Sequence, residues 1–305
     1  MIDLHIHTVA SDGSDTPVEI VSQVRAKALK AFGVADHNTI GSLAETFALA
    51  QKARIPFFPA SEIDTLFYDQ DLHLLAYGIH FDQAECRAWM EKIKTAKLDQ
   101  TRKRVDKLKE LGFRIDYDEL MQISRGKMPT GGDYVRALSQ DPQGRQDPRV
   151  INYIDGPRSN SPYMNFYLDW LKAGKPAFVP FEEMECDKVI QKAVSLGAVP
   201  VLAHPLDTPF EYARELKDFG LAGVEVYTSY HNREKEAYWK KAARELGLFI
   251  TAGSDYHGKP VKPDVKMGID CPEQNEILTN LKQALQKSRG IFLEWPLNKI
   301  FSPLA

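Results

Sequence analysis

Asp3-Leu4-His5-Ile6-His7-Thr8 stands almost at the start of the chain, and Ser11-Asp12-Gly13 follows two residues later. Ile2, Leu4 and Ile6 alternate with polar positions, which is the period of a β-strand. Residues two apart on a strand point to the same side, so His5 and His7 aim both imidazoles at one point. Asp12 lies a few residues on, in the turn. Two imidazoles and a carboxylate converging at a strand end suit a divalent metal held by mixed nitrogen and oxygen donors. The alternative is an edge strand whose two histidines face water, and the rest of the chain has to separate the two.

Outward from this stretch, Thr16-Pro17-Val18-Glu19 has the form of a helix start, with Thr as N-cap, Pro at the first helical position and Glu placed to close a capping box. Ile20, Val21, Val24 and Ala28 then share a face. Ala31 to Ala35 is a short apolar run ending in Asp36-His37-Asn38. A second helix carries Leu43, Phe47 and Ala50 on one side. Ile55 to Ala60 is a strand ending in Ser61-Glu62-Ile63-Asp64, and Asp71-Leu72-His73 leads into a strand from Leu74 to Gly78. Short strands alternating with helices predict a parallel sheet with helices outside. Chemistry in such folds gathers at the C-terminal ends of the strands, where His7, His37 and Glu62 fall; His73 precedes most of its apolar run and fits less well.

From Asp82 the pattern changes. Ala84 to Leu111 is a charged helix with Trp89, Ile93 and Ala96 at helical spacing, and Gly112 ends it. Gly126 to Pro162 is rich in Gly, Pro, Asp and Arg and lacks clear periodicity, apart from a short turn around Tyr134 to Leu138. Phe166, Tyr167, Trp170 and Leu171 form a helix face, with base stacking by Tyr163, Phe166 or Trp170 as the alternative to core packing. Residues 82–174 are thus a mostly helical insertion in an α/β domain made of residues 1–81 and 175–305. The α/β pattern resumes with a helix from Val189 to Leu196 and a strand from Val199 to Ala203 ending in His204-Pro205. Thr208-Pro209-Phe210-Glu211 repeats the helix-start signature. Gly223 to Tyr227 is a strand, Glu234 to Leu246 a helix, and Leu248 to Ala252 a strand ending in Gly253-Ser254-Asp255-Tyr256-His257-Gly258. One more helix lies around Ile277 to Gln286. Seven strands are expected in the α/β part.

Composition narrows the function. The 305 residues are 43% hydrophobic and 27% charged, an ordinary globular balance, and the formal charge of −3 gives no general attraction to nucleic acid or an anionic membrane. Any anion site must be local. No stretch approaches the ~18 apolar residues of a membrane span, and the opening residues do not read as a signal peptide. Cys86, Cys186 and Cys271 are far apart and form no C-x-x-C, which argues against a disulfide framework or thiolate zinc site and fits a reducing cytoplasm.

The chain has eight histidines. A lone strand-end histidine is usually structural, but His7, Asp12, His37, Glu62, His204, Asp255 and His257 all fall at strand ends, and that joint pattern points to a polynuclear metal centre. The ordered set of His5-x-His7, Ser11-Asp12-Gly13, Ala35-Asp36-His37, Glu62, His73, Ala203-His204-Pro205 and Gly253-Ser254-Asp255-x-His257-Gly258 resembles the PHP (polymerase and histidinol phosphatase) family of metal-dependent phosphoesterases. It is most similar to the stand-alone subgroup with a helical insertion after the fourth strand, which includes nucleotide phosphatases and short-oligonucleotide exonucleases.

The resemblance implies a distorted (β/α)7 barrel with a mostly helical inserted domain. It implies three metal positions: one held by His5, His7, Glu62 and Asp255, one by Glu62, His73 and His204, and one by Asp12, His37 and His257. This all-nitrogen-and-oxygen set suits two to three Mn²⁺, Zn²⁺ or Fe²⁺ ions without choosing among them. Asp36 would orient an imidazole or cap a helix. The expected activity is hydrolysis of a small phosphate monoester, a nucleotide or sugar phosphate. The alternatives are a phosphodiesterase on cyclic phosphates or short oligonucleotides, and a non-catalytic module binding metal or phosphate. Asp255 and His231 are the expected catalytic residues. His231 follows a strand in Tyr227-Thr228-Ser229-Tyr230-His231 and could donate a proton or bind phosphate, or be a surface histidine at a helix start. His80 reads as structural. In the subgroup the insertion covers the site and supplies arginines to the phosphate; Arg102 sits where one is expected. Gly131-Gly132-Asp133 replaces the Arg-x-His that would carry the second, which removes two cations and adds a carboxylate. The sequence gives neither the substrate nor the oligomeric state.

Overall fold

The alternation around His5 becomes strand β1 (Asp3–Ile6), every residue of which is buried in the computed structural model of the protein. The structure describes residues 1–68, 70–180 and 184–294, without the side chain of Tyr163. The strands that follow are β2 (Phe32–His37), β3 (Phe57–Phe67), β4 (Gln70–Tyr77), β5 (Val199–Leu202), β6 (Gly223–Tyr227) and β7 (Phe249–Ala252). They form one sheet in chain order, with the seven strands expected from the sequence.

The sheet is mixed, not parallel. β1, β2 and β3 pair in parallel, as do β5, β6 and β7, but β4 runs antiparallel to β5. This explains His73. Because β4 runs backwards, its beginning lies beside the end of β5, and the Ala203 N–H donates to the His73 carbonyl at 2.9 Å. The rule that chemistry sits at strand C-termini holds at β1, β2, β5 and β7, where His7, His37, His204 and Asp255 fall, and inverts for this one. Glu62 also departs from expectation: β3 continues to Phe67, so Glu62 sits inside a long strand and not at its end.

Past β7 the Asp255 N–H donates to the His5 carbonyl at 3.0 Å and the His7 N–H to the Tyr256 carbonyl at 2.8 Å. Gly253 makes this approach possible, since a Cβ there would collide with the His5 side chain. β1 is therefore hydrogen-bonded on both sides.

Helices α1 (Pro17–Ala26) and α2 (Leu43–Ala53) follow β1 and β2. Thr16 and Glu19 form the reciprocal capping box read from the sequence. Such a cap is worth about 1 kcal/mol. The helix ends at Ala26, however, and Ala28 is exposed with φ 51°; Leu29 takes the buried place instead. The later helices are α3 (Ala84–Glu110), α4 (Tyr117–Ile123), α5 (Gly131–Gln140), α6 (Pro148–Ile154), α7 (Pro162–Phe166), α8 (Cys186–Ser195), α9 (Phe210–Phe219), α10 (Arg233–Leu246) and α11 (Gln274–Ser288). The second Thr-Pro start behaves differently from the first: α9 begins one residue late, after Pro209, with no side-chain cap.

The chain divides into two compact units. Of the described residues, the first holds 1–67, 72–91 and 184–294, and the second holds 68, 70–71 and 92–180. Sequence periodicity sets the joins at 82 and 174, some residues earlier. The first unit's core is the sheet interior, with Leu4, Ile6, Phe32, Val34, Phe57 and Phe58 fully buried.

The second unit has its own core, including Val105, Leu108, Leu120, Tyr134, Leu138 and Phe166. Phe166 is fully buried and contacts the rings of Tyr134 and Tyr153, while Trp170 meets Phe113 edge-on at 4.8 Å. Both pack in this core, Phe166 within it and the partly buried Trp170 against it; the side chain of Tyr163 lies outside the described residues. The segment that lacked periodicity contains α5 and α6. Thr130 and Asp133 form a capping box at the start of α5, and Arg136 pairs with the same carboxylate. Asp133 is therefore already occupied within its own helix start.

No helix among the described residues is long and apolar enough to cross a membrane. The three cysteines are free and buried.

Candidate metal centre

β1 places His5 and His7 on one side, as the period of two requires, and both are fully buried. Their Nε2 atoms lie 3.0 Å apart. Each is 3.1 Å from the same oxygen of Glu62, Oε2, and Asp255 Oδ1 lies 3.0 Å from His7 Nε2 and 3.5 Å from His5 Nε2. His37 Nε2 faces Glu62 Oε2 at 3.2 Å. The other Glu62 oxygen, Oε1, faces His73 Nδ1 and His204 Nε2, both at 2.9 Å. One carboxylate thus divides its two oxygens between two sets of imidazoles.

Beyond these, His257 Nε2 is 3.3 Å and His7 Nδ1 3.6 Å from Asp12 Oδ1. All nine candidate ligands read from the sequence come together, in three groups whose donor atoms lie within 4.8 Å of one another. The groups are shared differently from the implied sets. His204 joins His5, Glu62 and Asp255, His7 joins Asp12, His37 and His257, and His37 adjoins Glu62 and His73.

The electrostatics show why a cation fits. Burial alone would push the His5 imidazole down, but Glu62 and Glu225 outweigh it and hold it well above its ordinary value. Burial likewise opposes charge on His37, and Glu62 and Asp12 carry it up to about 10. Burial would raise Glu62, yet His37, His5 and His73 hold it well below the usual carboxylate range. Charged imidazoles are standing in for positive charge that the carboxylates demand. Protons cannot satisfy the geometry: two Nε2 atoms 3.0 Å apart accommodate one proton between them. Asp255 Oδ1 and His257 Nε2 are buried without a well-formed hydrogen bond, each facing only other members of the cluster. Divalent ions on nitrogen and oxygen donors meet both demands.

Metal uptake must then expel protons, because ligating imidazoles are neutral. With His37 held up to about 10 in the metal-free protein, affinity should fall as pH falls through neutrality. Adding Mn²⁺ to lightly buffered protein should acidify the solution; uptake without proton release would contradict these charge states.

Several supporting residues were not legible in the sequence. Glu225, fully buried in mid-strand on β6, faces His5 Nδ1 at 3.2 Å and accepts the His204 N–H at 3.0 Å. A carboxylate between Val224 and Val226 was the available signal. Asp64, two residues after Glu62 on β3, lies 3.0 Å from His37 Nδ1, and Asn38 Nδ2 donates to it at 2.9 Å. Such partners fix ring orientation.

Asp36 neither orients an imidazole nor caps with its own backbone. It accepts from the Thr8 N–H at 2.7 Å, the Thr8 and Ser11 hydroxyls at 2.8 Å, and the Ser42 hydroxyl, tying the turn after β1 to the start of α2. Asp36→Ala strands these buried donors and is expected to destabilise the protein by about 3 kcal/mol or more, read as a fall in the urea midpoint. An unchanged midpoint would show that the turn does not depend on Asp36.

His231 is buried, with Nδ1 2.8 Å from the Val226 carbonyl and Nε2 3.2 Å from the Pro205 carbonyl. Both ring nitrogens are directed at backbone, which is how a structural histidine is held. His80 is also structural, Nε2 lying 2.8 Å from the Arg289 carbonyl. Arg102 is exposed within the second unit and lies over the Tyr117 ring at 4.7 Å.

The donor cluster fits divalent metal ions, and the comparisons identify a metal-dependent phosphoesterase. Residues 3–150 match the family model described as PHP domain, so this stretch of the chain is a PHP domain. It is 26% identical over 265 residues to a 3',5'-nucleoside bisphosphate phosphatase of Chromobacterium violaceum, covering 84% of this chain and 87% of the relative. It is 26% identical to a 5'-3' exoribonuclease of Haemophilus influenzae, covering 84% and 89%. It is 24% identical to a phosphoribosyl 1,2-cyclic phosphate 1,2-diphosphodiesterase of Eggerthella lenta, covering 84% and 94%. Among solved structures, one described as a metal-dependent phosphoesterase from Bifidobacterium adolescentis has a TM-score of 0.69 at 25% identity, over 92% of this chain and 96% of its own.

Proposed function

We propose that this hydrolase cleaves a small phosphate monoester of the nucleotide or sugar-phosphate class, using two to three divalent ions, Mn²⁺, Zn²⁺ or Fe²⁺. The observation that carries the reading is the division of Glu62 between two imidazole sets, with a third donor group adjoining. His5, His7, Asp12, His37, Glu62, His73, His204, Asp255 and His257 are the proposed ligands. When bound, ions in such a site supply an activated water and neutralise charge on the phosphoryl oxygens.

The protein's own part is to hold and orient. Asp255 is the proposed catalytic carboxylate, because its Oδ1 is buried beside His5 and His7 without a well-formed hydrogen bond. Arg102 is proposed as a phosphate contact on the resemblance to the subgroup. The leaving-group role expected of His231 has less support, since both its nitrogens face carbonyls. A non-catalytic module is disfavoured by the complete donor set. The similarity to a nucleoside bisphosphate phosphatase supports the monoester. A diester substrate, cyclic phosphate or short oligonucleotide, is the second reading, favoured by the exoribonuclease and cyclic phosphodiesterase relatives. The buried free thiols suit a reducing, cytoplasmic setting.

An aryl phosphate and its diester, each with and without Mn²⁺, separate these readings. Metal-dependent preference for the monoester is expected. Preference for the diester would replace the first reading with the second, and turnover of neither with metal bound would count against both.

A further inference from the structure

The sequence singled out Tyr227-Thr228-Ser229-Tyr230-His231 and gave its role to His231. In the structure its neighbour Tyr230 contacts a candidate ligand, Asp255. Its hydroxyl donates to Asp255 Oδ2 at 2.5 Å. Lys262, in the loop after β7, donates to the same oxygen at 2.5 Å and to the Tyr230 hydroxyl at 2.8 Å. The three groups close a triangle on one carboxylate oxygen. The other oxygen, Oδ1, has no well-formed hydrogen bond and faces His7 Nε2 at 3.0 Å, His5 Nε2 at 3.5 Å and His257 Nδ1 at 3.5 Å.

We infer that Tyr230 and Lys262 are positioning residues that make Asp255 a one-oxygen metal ligand. With Oδ2 claimed by a phenol and an ammonium, the carboxylate cannot turn to offer both oxygens, and Oδ1 alone points into the donor cluster. The surroundings hold the same geometry. Ser229 Oγ donates to the Ser254 carbonyl at 2.8 Å, so the loop after β6 grips the Asp255 segment at the backbone as well. Asp255 itself adopts φ 57°, a left-handed backbone fixed by its N–H bond to His5. The Tyr230 ring also stands edge-on to His204 at 5.8 Å, so one side chain braces a candidate ligand on either side of Glu62. Lys262 is nearly buried, its side chain 16% exposed, and its charge is committed to this contact.

The inference rests on reading the cluster as a metal centre, and the test separates the two. Dialysed wild type, Tyr230→Phe, Lys262→Met and Lys262→Arg are titrated with Mn²⁺, and free Mn²⁺ is read by electron paramagnetic resonance. Loss of a group that orients a ligand weakens metal binding about 10–100-fold, and that loss is expected in Tyr230→Phe and Lys262→Met, with much of it restored in Lys262→Arg. Co²⁺ loaded in place of Mn²⁺ is expected to change its visible absorption in Tyr230→Phe, because Oδ2, left with Lys262 alone, is less firmly turned away from the ion. Tyr230→Phe removes one atom, so it carries the test if Lys262→Met does not fold. Wild-type affinity and an unchanged Co²⁺ spectrum in Tyr230→Phe would overturn the inference alone. A wild type that takes up no Mn²⁺ would overturn the metal reading and the inference with it.

Discussion

Glu62→Gln is expected to lower turnover by about a thousandfold or more and to reduce the metal bound per chain. The substitution keeps the shape of the side chain and removes its charge. Glu62 is fully buried and meets five imidazoles, His5, His7 and His37 on one oxygen and His73 and His204 on the other. A neutral amide presents one carbonyl oxygen and an NH₂ that cannot ligate, so one of the two imidazole sets loses its shared anion. Metal ions supply several kcal/mol of charge stabilisation to such reactions, and about 4 kcal/mol corresponds to a thousandfold. Steady-state kinetics with metal analysis on the same sample measures it. Near-normal turnover and metal content in Glu62→Gln would show that this carboxylate does not join two positions.

Stripping the metals with a chelator is expected to abolish turnover and lower the melting temperature, with both restored by added Mn²⁺. Ligands that bind only the folded state stabilise it by mass action, about 2.7 kcal/mol for each site at a hundred times its dissociation constant. Here the effect is reinforced by what metal loss leaves behind, buried ligand atoms such as His257 Nε2 without a well-formed hydrogen bond. Differential scanning calorimetry of stripped and reloaded protein gives the comparison. Equal melting temperatures would mean that the cluster is stable without ions.

The donor cluster was legible because most of its members obey local rules. His5 and His7 follow the period of two, and His37, His204 and His257 each follow a short apolar run. His73 was readable as a histidine of interest but not as correctly placed, because nothing local reports that β4 runs backwards. The supports were harder to see. Glu225, Asp36, Tyr230 and Lys262 act across sequence gaps that only the folded sheet closes, as the separation of 25 positions from Tyr230 to Asp255 illustrates. α5 was read only as a short turn around Tyr134 to Leu138 for a local reason: Gly131 and Gly132 depress helix propensity, although Thr130-x-x-Asp133 is a capping box that could have marked the start. Reading Asp133 as a stray carboxylate overlooked that box.

The central claim is that this chain holds a polynuclear metal centre built on Glu62. Elemental analysis of the purified protein, after loading with Mn²⁺ and removal of excess, tests it most directly. Two to three ions per chain are expected. A chain that retains none after supplementation would contradict the account.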